Sequence, residues 1–474
     1  MDRANNMKKY ILTTLLLLGG MHLLYSANFE KKDTSIEAGN KVDDHFSTNQ
    51  YFYNQIYRLV YGLKIYSEQE NESISKVAGS SIGIDQFYQD AFQDAIKKGE
   101  DLPFHLTTLY LASKKLDYKE LNQKVRDELV KLPQYSSIVH YFEKNEAIDP
   151  KAMSLIYGLS FSRDLFNALD NVSSNDQNLE TAKSFEEKLN NSSLAYAQKT
   201  AKIILTSIIF LGISFGLFLF FIYSLINGMI RLKYDPKDKN SILSLEVFTY
   251  YILFFCFLGV LGKFKDSLLS LLPGVNGILL NIILIPAAFF TILAYVIARY
   301  GFINLLKEIG LKIKSPLYLV KEYLMGPITY LTCVVPIIGL MFLYQQVLTY
   351  FNVSSSSGSH PIIPILIDSD DPTIKLRILF LAVLIAPITE EVFFRGFFHN
   401  YLRSFLNPFS AIIINGIFFA AIHPQGPVGI FPLTIIGCIL AFAREWRDNL
   451  YTPILIHMCV NGVTTFAILE LFSK

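Results

Sequence analysis

The sequence predicts an all-α protein: a polytopic helical membrane domain of about eight spans, preceded by a helical soluble domain. Three observations carry this. The chain of 474 residues is 51% apolar with a mean hydropathy of +0.34, yet 18% of it is charged, so only part of it can lie in lipid. The charge is unevenly placed: residues 28–200 hold 20 Lys and Arg against 26 Asp and Glu, and residues 201–474 hold 19 against 14. An acidic, polar segment before an apolar, basic one reads as a water-facing domain followed by membrane helices with basic cytoplasmic loops. Finally, apolar runs of about 20 residues, the length that crosses a bilayer, recur from residue 202 onward.

In order along the chain, residues 1–27 pair Lys8-Lys9 with an apolar stretch through Leu24. That is a signal peptide or an uncleaved N-terminal anchor, and either one carries the next segment across the membrane. Residues 28–200 form the extracytoplasmic helical domain, with apolar residues at helical spacing over Phe104–Leu132 and Ala152–Leu169. His45, His105 and His140 stand isolated in it and read as surface or partly buried histidines. Residues 201–350 supply the N-terminal transmembrane helices, and residues 351–474 the remainder.

Spans are expected near 202–228, 243–262, 270–299, 325–349, 374–400, 409–424, 427–444 and 451–472. Basic clusters follow alternate spans: Arg231, Lys233, Lys237 and Lys239 after the first, Arg299, Lys307, Lys312, Lys314 and Lys321 after the third, Arg444 and Arg447 after the seventh. The positive-inside rule makes those loops cytoplasmic and residues 28–200 extracytoplasmic. Residues 303–323 read as an interfacial amphipathic helix. Cys256, Cys333, Cys438 and Cys459 all fall in apolar segments without CxxC spacing, which argues against a disulfide framework or a structural zinc site. No region is basic enough for nucleic acid.

One stretch does not belong in lipid. Ala386-Pro-Ile-Thr-Glu390-Glu391-Val-Phe-Phe-Arg395-Gly396 lies inside an apolar run, where each charge costs about 2.5–3.5 kcal/mol on insertion scales. Glu391 and Arg395 are four apart, share a helix face and can pair. Glu390 is rotated about 100° away, so the pair does not account for it and it becomes the candidate for chemistry. His423, His457 with Asn461 one turn on, and Asn415 also fall in spans. A carboxylate with two imidazoles can deprotonate a water, polarise a carbonyl or hold a metal. HExxH is missing from the sequence, and Gly212-Ile-Ser-Phe-Gly216 sits in a span, where small residues serve helix packing rather than a nucleophile elbow.

Glu390-Glu391-Val-Phe-Phe-Arg395, Phe419-Ala-Ala-Ile-His423 and His457-Met-Cys-Val-Asn461, in that order, resemble the three-motif signature of the CPBP family, the CAAX-type intramembrane endopeptidases and their bacterial relatives. The resemblance covers about residues 374–470 and makes residues 351–474 a CPBP-like catalytic core. It implies that Glu390 activates water, that His423 orients it or takes the proton, and that His457 and Asn461 stabilise the oxyanion, with Glu391 and Arg395 as the structural pair. The family carries a metalloprotease label, although a glutamate mechanism without metal is also proposed for it. Zn2+ on Glu390, His423 and His457 and a metal-free general base suit these residue types equally.

The expected function is therefore an intramembrane endopeptidase acting on a membrane-associated peptide or protein in the lipid bilayer, in a bacterial inner membrane. Two other classes stay open. One is a proteolytically silent scaffold or immunity protein of the same fold, which could dispense with Glu390. The other is a proton-coupled transporter, for which paired inverted repeats would be the sign and none is seen.

Overall fold

The computed structural model describes residues 48–69, 80–99, 101–173, 179–236, 239–263, 277–311, 315–351, 366–367, 371–423 and 426–472. The signal-like segment, His45 and the side chain of Cys256 lie outside what is described. The regular structure among these residues is entirely helical, and the all-α class stands. The described residues fall into two compact units, one within Gly39–Ile208, Ile363–Asp370 and Ile468–Lys474, the other within Ile209–Ile362 and Asp371–Ala467.

The first unit is built from α1 (Thr48–Gln69), α2 (Ser80–Lys98), α3 (Leu102–Lys115), α4 (Lys119–Leu129), α5 (Ser136–Lys144), α6 (Pro150–Gly158), α7 (Ser160–Ser173) and the first part of α8 (Leu179–Ile226). Local chemistry sets the boundaries. Pro103 opens α3 and Pro150 opens α6, each in the first turn where no amide partner is lost. The Asp149 side chain accepts from the Lys151 amide as the α6 cap. Asn145 ends α5 in the left-handed conformation. α3 is buried on every face from Phe104 through Ser113, as befits a central helix. Leu106, Leu109, Leu121, Val125, Leu129, Ile156 and Leu165 make up much of the core around it.

Several polar groups in this interior are paired. Arg58 donates to Asp164 at 2.6 Å and to Ser192 at 3.0 Å. His105 is not a surface histidine: it lies inside α3, edge-on to Tyr53, and its Nδ1 is 2.9 Å from the Tyr57 hydroxyl. Burial pushes the Tyr57 phenol well above its ordinary value, so that hydroxyl keeps its proton. His140 is half-buried, 3.6 Å from Glu146.

The second unit holds α9 (Ser241–Lys263), α10 (Gly277–Tyr300), α11 (Phe302–Ile309), α12 (Pro316–Tyr350), α13 (Pro372–Leu379), α14 (Ala386–Glu391), α15 (His399–Arg403), α16 (Pro408–Ala421), α17 (Gly426–Arg447) and α18 (Tyr451–Phe472). Two π-helical stretches, Phe380–Ile385 and Val392–Phe398, join α13 to α14 and α14 to α15, so Pro372 to Arg403 is one helical path.

Among the described residues, four helices are long and apolar enough to cross a membrane: Lys183–Ile226, Pro316–Leu348, Gly429–Arg447 and Tyr451–Glu470. A fifth arises if Phe289–Tyr300 and Phe302–Ile309, bent by 114°, count as one. The difference from the eight apolar runs has identifiable reasons. The path from Pro372 carries Lys375, Arg377, Glu390, Glu391 and Arg395, and Pro408–Ala421 has 14 residues. The sharp bend falls at Gly301, whose φ of 84° is open to glycine and strained for other residues. Beyond it, α11 turns Leu305 and Ile309 inward and leaves Phe302 and Ile303 exposed, the pattern of an interfacial helix.

The packing that positions the site is close and aromatic. α16 crosses α17 at Gly416 and Gly437. A Cβ on Gly416 would stand 2.5 Å from the Cys438 sulfur and 2.8 Å from the Thr434 carbonyl oxygen, so only glycine lets these backbones approach. Phe248 of α9 stacks on Phe398 at 4.1 Å and Tyr251 on Phe393 at 4.0 Å. Ser214, the serine of the GxSxG string, donates to the Leu331 carbonyl and accepts from the Val335 amide beside Pro336. It is a helix-packing residue.

Candidate active site

Glu390 and Glu391 end α14, between the two π-helical stretches, and their side chains diverge. Glu391 is fully buried. Its Oε1 accepts from Arg395 at 2.8 Å, and the same oxygen is 2.9 Å from Nδ1 of His457. Arg395, also fully buried, donates through its other terminal nitrogen to the Gly437 carbonyl at 2.9 Å. Its guanidinium lies 4.6 Å from the centre of the Phe419 ring, a cation–π contact that a desolvated site strengthens.

Glu390 points to the other side and keeps 18% of its side-chain surface. Its Oε2 stands 3.9 Å from Nε2 of His423 and 3.9 Å from Nε2 of His457. The structure thus brings Glu390, His423 and His457 together, from α14, the end of α16 and α18. Phe419 orders the cluster: its ring is 4.9 Å from that of His423 and 5.6 Å from that of His457, the latter edge-on.

The hydrogen bonds behind the imidazoles decide their tautomers. Nδ1 of His423 is 2.7 Å from the Phe419 carbonyl oxygen, which only accepts, so Nδ1 carries a proton. Nδ1 of His457 faces the Arg395-bound carboxylate of Glu391, again an acceptor. When a ring is neutral its lone pair is then on Nε2, directed towards Glu390. With both rings neutral the three facing atoms are all acceptors, so what fits among them donates: a water, a peptide N–H or a cation. Oε2 of Glu390 is buried without a hydrogen-bond partner.

By donor type the three residues could hold zinc. By spacing they do not. Zinc ligands at about 2.0–2.1 Å and tetrahedral angles stand roughly 3.3–3.4 Å apart, against 3.9 Å here. Among the described residues no group of three or more His, Cys, Asp or Glu is placed to hold a metal ion. A water touching two groups at about 2.8 Å each spans 3.9 Å at a near-right angle.

Asn461 and Asn415 take up positions that spacing alone does not give. Asn461 donates from Nδ2 to the Ala382 carbonyl at 2.8 Å, in the first π stretch. Asn415 donates to the Phe394 carbonyl at 2.9 Å, in the second. Each amide braces one of the turns that flank the glutamates. Asn461 retains a second N–H. The contact that sequence reasoning missed is Glu391 to His457: the carboxylate behind Arg395 also holds an imidazole of the cluster. A signal existed, since Arg395 engages one carboxylate oxygen and a buried carboxylate calls for more donors.

Residues 372–463 match the family model Rce1-like, described as type II CAAX prenyl endopeptidase Rce1-like. No curated protein and no solved structure matches the chain. With its long apolar helices the chain is an integral membrane protein, and residues 372–463 form an Rce1-like domain, consistent with the CPBP family.

Proposed function

We propose that the protein is an intramembrane endopeptidase that hydrolyses a peptide bond of a membrane-associated protein or peptide, with Glu390 as the base that activates water. The observation that carries this reading is the largely buried Glu390 carboxylate facing two imidazole nitrogens at 3.9 Å, inside a domain matched to a protease family. Glu390 removes a proton from water as the oxygen attacks the scissile carbonyl, then returns it to the leaving amine. His423, its tautomer held by a backbone carbonyl, accepts a hydrogen bond from the same water and orients it. His457, when protonated on Nε2, donates to the oxyanion while Glu391 offsets the imidazolium charge, and the second N–H of Asn461 is the further donor.

The chemistry is proposed to run without metal, because the donor spacing suits a shared water better than zinc. Elemental analysis of detergent-purified, cleavage-competent protein tests this. Less than about 0.1 metal per chain is expected, and one zinc per chain lost in His423→Ala would refute it.

The proposed setting is a bacterial inner membrane with residues 28–200 outside the cytoplasm, from the basic loops. An alkaline phosphatase reporter after residue 150 should be active and one after Lys239 inactive; the reverse pattern would overturn the orientation.

A further inference from the structure

Two segments far along the sequence belong to the first unit, Ile363–Asp370 and Ile468–Lys474. Leu366 and Ile367 are each 1% exposed, and Ile367 is part of the apolar core that holds Leu106, Leu109 and Leu165. Ile468 packs against that same core. Glu470 pairs with Lys199 of α8 at 2.6 Å, both side chains being exposed enough that the pair adds little stability of its own. Each segment runs into an element that carries the site. Ile367 stands four positions before Asp371, the cap of α13, a length of chain that spans at most about 14 Å. From α13 the helical path is unbroken to Glu390. Ile468 lies within α18 itself, eleven residues beyond His457, a rise of about 16 Å along one helix.

We propose that the first unit is a clasp on the site: by holding Ile367 and Ile468 in one core it sets the separation of Glu390 from His457, so cleavage depends on its engagement. The proposal rests on the reading of these two residues as catalytic. Glu390 and His457 meet only at 3.9 Å, so their spacing follows the helices that carry them. Two hydrogen bonds couple those helices, Asn461 to the Ala382 carbonyl and His457 to Glu391. A shift of either held end reaches the site through them.

The competing role is local: Leu366 and Ile367 fill the first unit's core and transmit nothing. A flexible Gly-Ser linker of about eight residues, inserted between Asp370 and Asp371 of the full-length protein, separates the two. It keeps the buried anchor and the α13 cap but slackens the connection. Hydrogen exchange in detergent at the amides of Glu390–Phe394 is expected to quicken about tenfold or more, and release of membrane-fraction peptides to fall about as far, with the folded yield unchanged. The same linker between Ser355 and Ser356 lengthens the connection from α12, which carries no site residue, and should change neither quantity. Ile367→Ala, which empties the anchor without lengthening the chain, should act as the first linker does, and Ile367→Val should restore both readouts. Unchanged exchange after the first linker, faster exchange with wild-type cleavage, or equal effects from the two linkers would each overturn the clasp. Exchange does not depend on proteolysis. Wild-type cleavage by Glu390→Gln would remove the reading of Glu390 as the base and leave the exchange result to decide the coupling.

Discussion

Glu390→Gln is expected to abolish cleavage and leave the amount of folded protein unchanged. The amide keeps the shape and polarity of the side chain but cannot take a proton from water. General base catalysis contributes about 10²–10⁴-fold, so peptides released by wild-type membranes should fall below detection. Stability should hold because Glu390 makes no hydrogen bond through Oε2 and approaches its histidines only to 3.9 Å. Comparison of membrane-fraction peptides from cells carrying either protein reads the first quantity, and size-exclusion chromatography of the detergent extract reads the second. Wild-type product levels from Glu390→Gln would show that another group activates water, or that the protein is a transporter or scaffold.

Glu391→Ala is expected to do the opposite and deplete folded protein before any question of rate arises. The carboxylate is fully buried between Arg395 and His457. Its removal leaves an uncompensated guanidinium in a dry interior, at a cost of about 3–5 kcal/mol. Little would be left for Arg395 beyond the Gly437 carbonyl and the Phe419 ring. The pair itself need not be stabilising relative to an apolar replacement. Glu391→Leu combined with Arg395→Met should therefore recover part of the folded protein while leaving it inactive, because His457 has lost the acceptor behind Nδ1. Equal folded yields from Glu390→Gln and Glu391→Ala would refute this division between the two glutamates.

How much of this was legible follows from distance along the chain. Glu391 and Arg395 are four residues apart, so helix geometry alone allows a contact between them. His457 lies 66 positions from Glu391, and no local rule reports a contact of that kind. The helical class was legible because apolar run length is a strong signal. The status of 374–400 was less so: its hydropathy suggests a plain span, whereas the π stretches on either side of α14 have no pattern of their own. Asn461 shows the same limit. One turn from His457, it can be placed on that residue's face by spacing, but spacing does not reveal that Ala382 takes one of its protons.

The two π stretches have a further consequence for how the length of this helix can vary. A π turn accommodates one residue more than an α turn does. Loss of a residue within Phe380–Ile385 or Val392–Phe398 lets that turn return to α pairing, with everything beyond it on the same face. The same loss within Ala386–Thr389 rotates the remainder by about 100° and gives Glu391 the direction that Glu390 had. The helix is thus adjustable in length at both ends of its reactive turn and fixed within it, and insertions and deletions, more than substitutions, should mark where its chemistry lies.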